Sequence, residues 1–234
     1  MQIDALAFGA HPDDIELSCS GLLLKLKKQG YSVGIVDLTR GELGTRGSAE
    51  IRAAEAKEAS HILDLNIREN ALLNDGNITI DDSSKKVVIE IIRKYRPKVV
   101  FCPYWDDRHP DHVATSKLVD ISFFYSGLSK IATEHAHYRP ESLIYYFQHT
   151  VVQPTFIVDI SDEFETKLKA IKAFKSQFYE KESSEPQTYI SRPEFLESVT
   201  NKAKYFGFQI GVDYGEPFLV KSAIKINNIM DVFS

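Results

Sequence analysis

The chain has 234 residues, of which 43% are hydrophobic and 26% charged, with a formal net charge of −5. That is enough chain for one large domain, 1–234, with a substantial core, and it lacks the basic excess that marks a nucleic-acid binder. Two cysteines, Cys19 and Cys102, are too few for a disulfide framework, and no apolar run reaches the roughly 18 residues of a membrane helix.

The opening MQIDALAFGA has an acidic residue and no basic n-region, so it does not read as a signal peptide, and a reducing cytoplasm is the expected location. IDALAFGA (3–10) is an apolar run with no room for a helix before Pro12 and reads as a buried strand. SGLLLKLKKQG then predicts an amphipathic helix with a basic last turn and Gly30 as its stop. YSVGIVDLT (31–39) predicts the second strand and RGELGTRGS a glycine-rich loop. SAEIRAAEAKEASHILDL (48–65) is a strong helix, with Ser48 as N-cap and Ile51 stepping into the core face. IRENALL leads through the turn NDGN to a helix over about 82–95, ended by Arg96-Pro97. KVVFCPYW is another buried strand, with Cys102 a small core residue, and HVATSKLVDISFFYS is a helix.

Strand and helix thus alternate over the first 127 residues, which predicts an α/β fold: a mostly parallel sheet with helices on both faces. The remainder is less regular. SLIYYFQHT and TFIVDIS read as strands, DEFETKLKAIKAFKSQF and RPEFLESVTNKAKYFGF as helices. The polar stretch 179–188 reads as a surface loop, and with 41–47 it is the expected mobile cover of a site.

Two stretches carry chemistry: AHPDD (10–14) and DDRHPDH (106–112). Each follows a predicted strand, and in open α/β sheets ligands sit beyond the carboxyl ends of strands, where strand order reverses. If the two strands are neighbours, histidines and carboxylates converge in one crevice. Two histidines and one aspartate suit a catalytic divalent metal with one position left for water, and a remaining carboxylate suits a general base. Adjacent Asp13 and Asp14 cannot both point one way, so one can bind metal and the other can act as base. Either motif alone is weak, since an Asp or His after Pro also serves as a turn former or helix cap; together, after two strands of one sheet, they make a site. EHAH (134–137) follows no buried strand and reads as a solvated loop, His61 as a surface residue, and His149 as lining or closing the crevice. There is no G-x-G-x-x-G for a dinucleotide, and only the ligand set itself points to a non-haem iron oxygenase. Arg40, Arg46, Arg52 and Arg108 surround the same edge, where guanidinium forks suit carboxylates; pairing with Glu42, Asp106 or Asp107 is the alternative.

AHPDDIE, TRGELGTRG, R-A-A-E (52–55) and HPDH together resemble the LmbE-like, or GlcNAc-phosphatidylinositol de-N-acetylase, superfamily over about the first half of the chain. PYWDDRHPDH, KSQF (175–178) and YFGFQIGVDYGEPF (205–218) look like its bacillithiol biosynthesis branch, which removes acetate from N-acetylglucosaminyl malate. Here YGEPF stands where that branch has YAEGF, and Ser18-Cys19-Ser20-Gly21 replaces glycines after the first motif, which is expected to alter packing and not chemistry. The resemblance implies a Rossmann-like fold, with a Zn2+ or Fe2+ centre at the C-terminal edge of the strands. It implies His11, Asp14 and His112 as metal ligands and Asp13 as general base. His109 would stabilise the oxyanion or protonate the leaving amine, with Asp111 orienting it, and Arg52 would hold the sugar or its aglycone. Arg40 and Arg108 are further candidates for an anionic aglycone. It also implies a homo-oligomer, commonly a hexamer, with a small sugar conjugate as partner and neither nucleic acid nor membrane. Competing readings are a deacetylase of another N-acetyl sugar, a non-catalytic metal- or sugar-binding protein and a metal-dependent phosphoesterase.

Overall fold

The computed structural model describes residues 1–178 and 184–230. The predicted polar loop 179–188 therefore lies partly outside the described residues. The apolar runs became strands β1 (Ala5–Gly9), β2 (Val33–Asp37) and β4 (Val99–Pro103), joined by β3 (Ile67–Asn70), β5 (Ser142–Tyr146), β6 (Phe156–Asp159) and β7 (Gly215–Leu219). They form one sheet in the order β3-β2-β1-β4-β5-β7-β6. The first five are parallel, and β7 is antiparallel to both β5 and β6.

Alternation along each strand feeds two cores. Leu6, Phe8, Val36, Val100 and Cys102 face α4 (Asp82–Tyr95) and α5 (Pro110–Tyr125). Ala5, Ala7, Val33, Ile35 and Phe101 face α1 (Asp14–Ser18), α2 (Ser20–Lys28) and α6 (Phe164–Lys172). Helix α3 (Ala49–Ile62) packs on α6, and α7 (Pro193–Ile210) covers β6 and β7. No helix among the described residues is long and apolar enough to cross a membrane.

Several predicted ends are met. Ser48 caps α3 by accepting from the Ile51 N–H, Asp81 caps α4, and Gly30 takes a left-handed backbone after α2. Four features differ. The predicted helix forms as α2, but a short helix that was not predicted, α1, precedes it and is parted from it at Cys19. Ile51 is 48% exposed, and α3 instead buries Arg52, Ala56 and Ala59. Strands β3 and β7 form where none was predicted, because β3 is a half-buried edge with charged residues and β7 contains Pro217, which cannot donate to a ladder. The ladder of β5 with β7 covers only Phe218 and Leu219, so Pro217 lies beyond it. The unexpected β7 also anchors α2: the Glu216 carboxylate accepts from the Gly21 and Leu22 N–H groups at 2.9 and 2.7 Å and from Lys167 at 2.6 Å.

The positioning consequence is direct. β1 pairs with β4 (Ala5↔Val99, Ala7↔Phe101), and strand order reverses between them. The two motif loops therefore leave adjacent strands at the same edge.

Candidate active site

After Gly9 the chain turns at Pro12, and Asp13 takes φ 112°, ψ −23° before α1 begins. A left-handed backbone at a non-glycine residue is strained. Here it separates consecutive carboxylates. Asp13 points to the Arg52 guanidinium at 3.0 Å, while Asp14 points between two imidazoles. Asp14 Oδ2 lies 3.6 Å from His11 Nδ1, and its Oδ1 lies 3.3 Å from His112 Nε2. His112 arrives on the first turn of α5, where His109 is the N-cap and Pro110 opens the helix.

The donor set fits a metal by distance and by backing. One ligand atom from each of His11, Asp14 and His112 lies within 4.8 Å of the others. Tetrahedral zinc ligands stand about 3.3 Å apart, given bonds of roughly 2.0–2.1 Å, so the spacing fits. The second nitrogen of each imidazole is also held by a carboxylate. His11 Nε2 donates to Asp75 (3.0 Å) and Asp111 (3.2 Å), and His112 Nδ1 donates to Asp107 (3.0 Å). Carboxylate-backed imidazoles are the usual outer arrangement of a metal centre.

These contacts set the protonation of the cluster. Burial opposes charge on His11, but Asp111, Asp14 and Asp75 outweigh it and hold the imidazole well above its ordinary range. Burial likewise opposes charge on His112, and Asp14 and Asp107 lift it to about 9. Burial would raise Asp14, yet the His112 and His11 rings hold it well below the usual carboxylate range. Asp13 differs. Burial pushes it up to about 7, with Asp14 adding to the rise and Arg52 opposing it. His109 is lowered by burial and by His112 and His11 and stays neutral.

The expected pairing of Asp111 with His109 takes another form. The Asp111 backbone N–H, not its carboxylate, meets His109 Nδ1 at 3.2 Å. That places the ring proton on Nε2. The Asp111 carboxylate turns instead to His11 and to the Gly76 N–H at 2.8 Å.

The arginines divide. Arg52 lines the crevice, with its NH2 shared between Asp13 and Gln177 (2.7 Å). Gly41 makes room for it, since a Cβ there would lie 1.8 Å from Arg52 NH1. Arg46 is buried and spans to the Ser176 and Pro186 carbonyls. Arg108 lies at the rim, over the Tyr189 ring at 4.3 Å. Arg40 is not brought to the crevice: it is half exposed and lies 3.9 Å from Glu42, on the outer side of the loop.

Four participants escaped sequence reasoning. Asp75 sits in a turn signal, NDGN, that asks for no further role. Asp107 reads from the sequence only as an arginine partner. Gln148 donates to Asp14 Oδ1 at 2.6 Å, and Gln177 holds Arg52. His149 does line the crevice, bound to Asp107 through Nδ1 at 3.1 Å. EHAH lies on the surface, where His135 pairs with Glu90.

Comparison with known proteins gives the family of this chain. The sequence model of the PIG-L family, GlcNAc-PI de-N-acetylase, matches residues 6–122. The diacetylchitobiose deacetylase of Thermococcus kodakarensis is 30% identical over 190 residues, covering 75% of this chain and 70% of that protein. The crystal structure of the conserved protein TT1542 from Thermus thermophilus superposes with a TM-score of 0.88 at 36% identity, covering 97% of this chain and 98% of that one. The N,N'-diacetylchitobiose deacetylase from Pyrococcus horikoshii superposes with a TM-score of 0.80 at 28% identity, over 93% and 83% of the two chains. With the family match spanning half its length and two motif loops meeting at one sheet edge, this chain belongs to the PIG-L, or GlcNAc-PI de-N-acetylase, family.

Proposed function

We propose that the protein is a metal-dependent hydrolase that removes acetate from an N-acetylglucosamine conjugate, with N-acetylglucosaminyl malate as the substrate. The observation that carries the reaction is the division of labour between adjacent carboxylates: Asp14 sits among imidazoles, and Asp13 is buried beside a guanidinium with its pKa raised to about 7. A base near neutrality serves proton transfer at working pH.

His11, Asp14 and His112 would hold the metal, zinc or ferrous iron. When bound, the metal supplies Lewis-acid polarisation and acidifies water. Asp13 accepts a proton from the attacking water, and Arg52 and Gln177 keep the carboxylate aimed. His109, neutral and protonated on Nε2, donates to the acetamide oxygen as negative charge develops there. Asp111 contributes twice, with its backbone N–H setting the His109 tautomer and its carboxylate steadying His11. The proton held on Asp13 then reaches the leaving amine.

The malate conjugate is favoured by the second-half likeness to the bacillithiol branch and by Arg108 at the rim. Chitooligosaccharide deacetylation is the second reading, favoured by the two diacetylchitobiose deacetylase relatives. The test is amine and acetate release by zinc- and iron-loaded protein from N-acetylglucosaminyl malate, N,N'-diacetylchitobiose and free N-acetylglucosamine. Preference for the malate conjugate supports the first reading and preference for the disaccharide the second. Metal binding without release from any of the three defeats both.

A further inference from the structure

Arg68 stands on the edge strand β3, yet its side chain is only 10% exposed, and the two carboxylates it meets, Glu16 and Asp37, are buried more deeply. None of the three lines the crevice. We propose that Arg68 is a positioning residue for the reaction: it holds Asp13, Arg52 and Gln177 in place by gripping the three segments that carry them. The role rests on the deacetylase reading, in which Asp13 is the base.

The first grip is on α1. Arg68 Nη1 donates to Glu16 Oε1 at 2.5 Å. Glu16 lies in the turn that follows Asp13, whose carbonyl accepts from the Leu17 N–H at 3.0 Å. Helix α1 has five residues, and a helix that short has little stability of its own. It also follows directly on the left-handed backbone of Asp13, a strain that persists only where the surroundings over-determine it. Among the described residues, Arg68 is the only side chain that hydrogen-bonds the Glu16 carboxylate.

The second and third grips are on the partners of Asp13. Arg68 Nη1 also donates to the Ala56 carbonyl at 3.3 Å, and Ala56 lies one turn after Arg52 on the buried face of α3. The guanidinium carbon stands 5.7 Å from the centre of the Phe174 ring, within reach of a cation–π contact. The Phe174 carbonyl in turn accepts from the Gln177 N–H at 3.0 Å. What fixes the guanidinium itself is β2: Nε and Nη2 donate to the two Asp37 oxygens at 2.7 and 2.9 Å. A two-pronged pair of this kind sets the plane of the guanidinium as well as its place. The sheet is therefore the frame, and Arg68 joins to it the base, the guanidinium beside the base and the amide that holds that guanidinium.

Stability does not account for the arrangement. Glu16 Oε2 is buried without a partner, which costs the fold. An apolar side chain of the same length would avoid that cost while leaving Arg68 paired with Asp37.

The test uses that substitution. Glu16→Met cuts the link to α1, and its thermal midpoint is expected to equal or exceed that of the unaltered protein. Its kcat per bound metal is expected to fall by about 10–100-fold, the effect of a displaced reacting group, with KM and metal content within about twofold. Both are measured on whichever of N-acetylglucosaminyl malate and N,N'-diacetylchitobiose the unaltered protein turns over faster. Arg68→Lys keeps the charge but cannot span Asp37, Glu16 and Ala56 together, and it is expected to show the same split. If Glu16→Met does not fold, Arg68→Lys decides. An unchanged kcat, or a kcat that falls only together with thermal midpoint and metal content, overturns the proposal. If the unaltered, metal-loaded protein releases amine from neither substrate, the deacetylase reading fails by itself. The crystal structure of Glu16→Met then decides: an Asp13 carboxylate displaced from Arg52 keeps the positioning role, and one still 3.0 Å from it removes it.

Discussion

Among the described residues, side chains close enough to hold a metal ion gather at the junction of β1 and β4 and again on the surface, and the two places differ in everything else. His11, Asp14 and His112 are 8%, 3% and 2% exposed at the junction of β1 and β4. Glu90, Glu134 and His135 meet on the surface, with the His135 side chain 44% exposed. In the first, each imidazole is fixed through its other nitrogen by a carboxylate. In the second, His135 is held by Glu90 alone of the two carboxylates, in an exposed pair of little energetic weight. Distance between donors is a weak criterion. What separates a preorganised centre from a surface coincidence is the backing that fixes the donors before the ion arrives.

The sharpest way to break that comparison is Asp14→Ala. It should abolish both bound metal and turnover, read by metal analysis after desalting. Full metal content in this variant would move the centre elsewhere, with His135 the first place to look. Asp13→Asn should keep the metal and lower kcat by about 10²–10⁴, the range of general acid–base catalysis; normal turnover would remove Asp13 as the base. Asp107→Asn tests the backing itself. Its carboxylate, held low by His112 and His149 against the effect of burial, accepts from both imidazoles and from the His109 N–H. Loss of such a partner should weaken metal affinity by about 10–100-fold, measured by chelator competition, with the fold intact by circular dichroism.

Asp4 gives an intermediate case away from the site. Hydrogen bonds from Ser32, then Lys98, hold its carboxyl down at about 2, against an ordinary 3.8. A depressed carboxyl stabilises the fold above its unfolded pKa, and that contribution is lost as pH falls through the folded value. The group is largely solvated, so screening reduces the gain to about 1 kcal/mol. Asp4→Asn should thus trail the unaltered protein by that amount near neutrality, with the gap closing between pH 4 and 2. Smallest of all, His135→Ala should change stability by no more than about 0.5 kcal/mol and leave metal content untouched.

Much of the architecture was readable because its signals are local. Asp81 to Tyr95 carries its own cap, period and stop, and α4 follows them. The apolar runs of β1, β2 and β4 could be nothing but strands between turn signals. Where the reading failed, one local rule yielded to a tertiary one. Ile51 looked like the core step of α3, but the helix turns Arg52 inward to meet Asp13 and leaves the isoleucine exposed. Pro217 argued against a strand, yet β7 forms because the ladder of β5 ends short of it.

The sequence by itself determined that two acidic histidine motifs follow buried strands of a parallel sheet, since periodicity and turn chemistry act within a few residues. The tertiary structure alone decided which groups those motifs meet. Asp75 and Asp111 reach His11 across 64 and 100 residues of chain, and Gln148 reaches Asp14 across 134. It also turned the Asp111 carboxylate away from His109 and left Arg40 outside. Side-chain direction at a loop depends on the backbone twist at Asp13 and on partners brought in by other strands, and no local pattern encodes either.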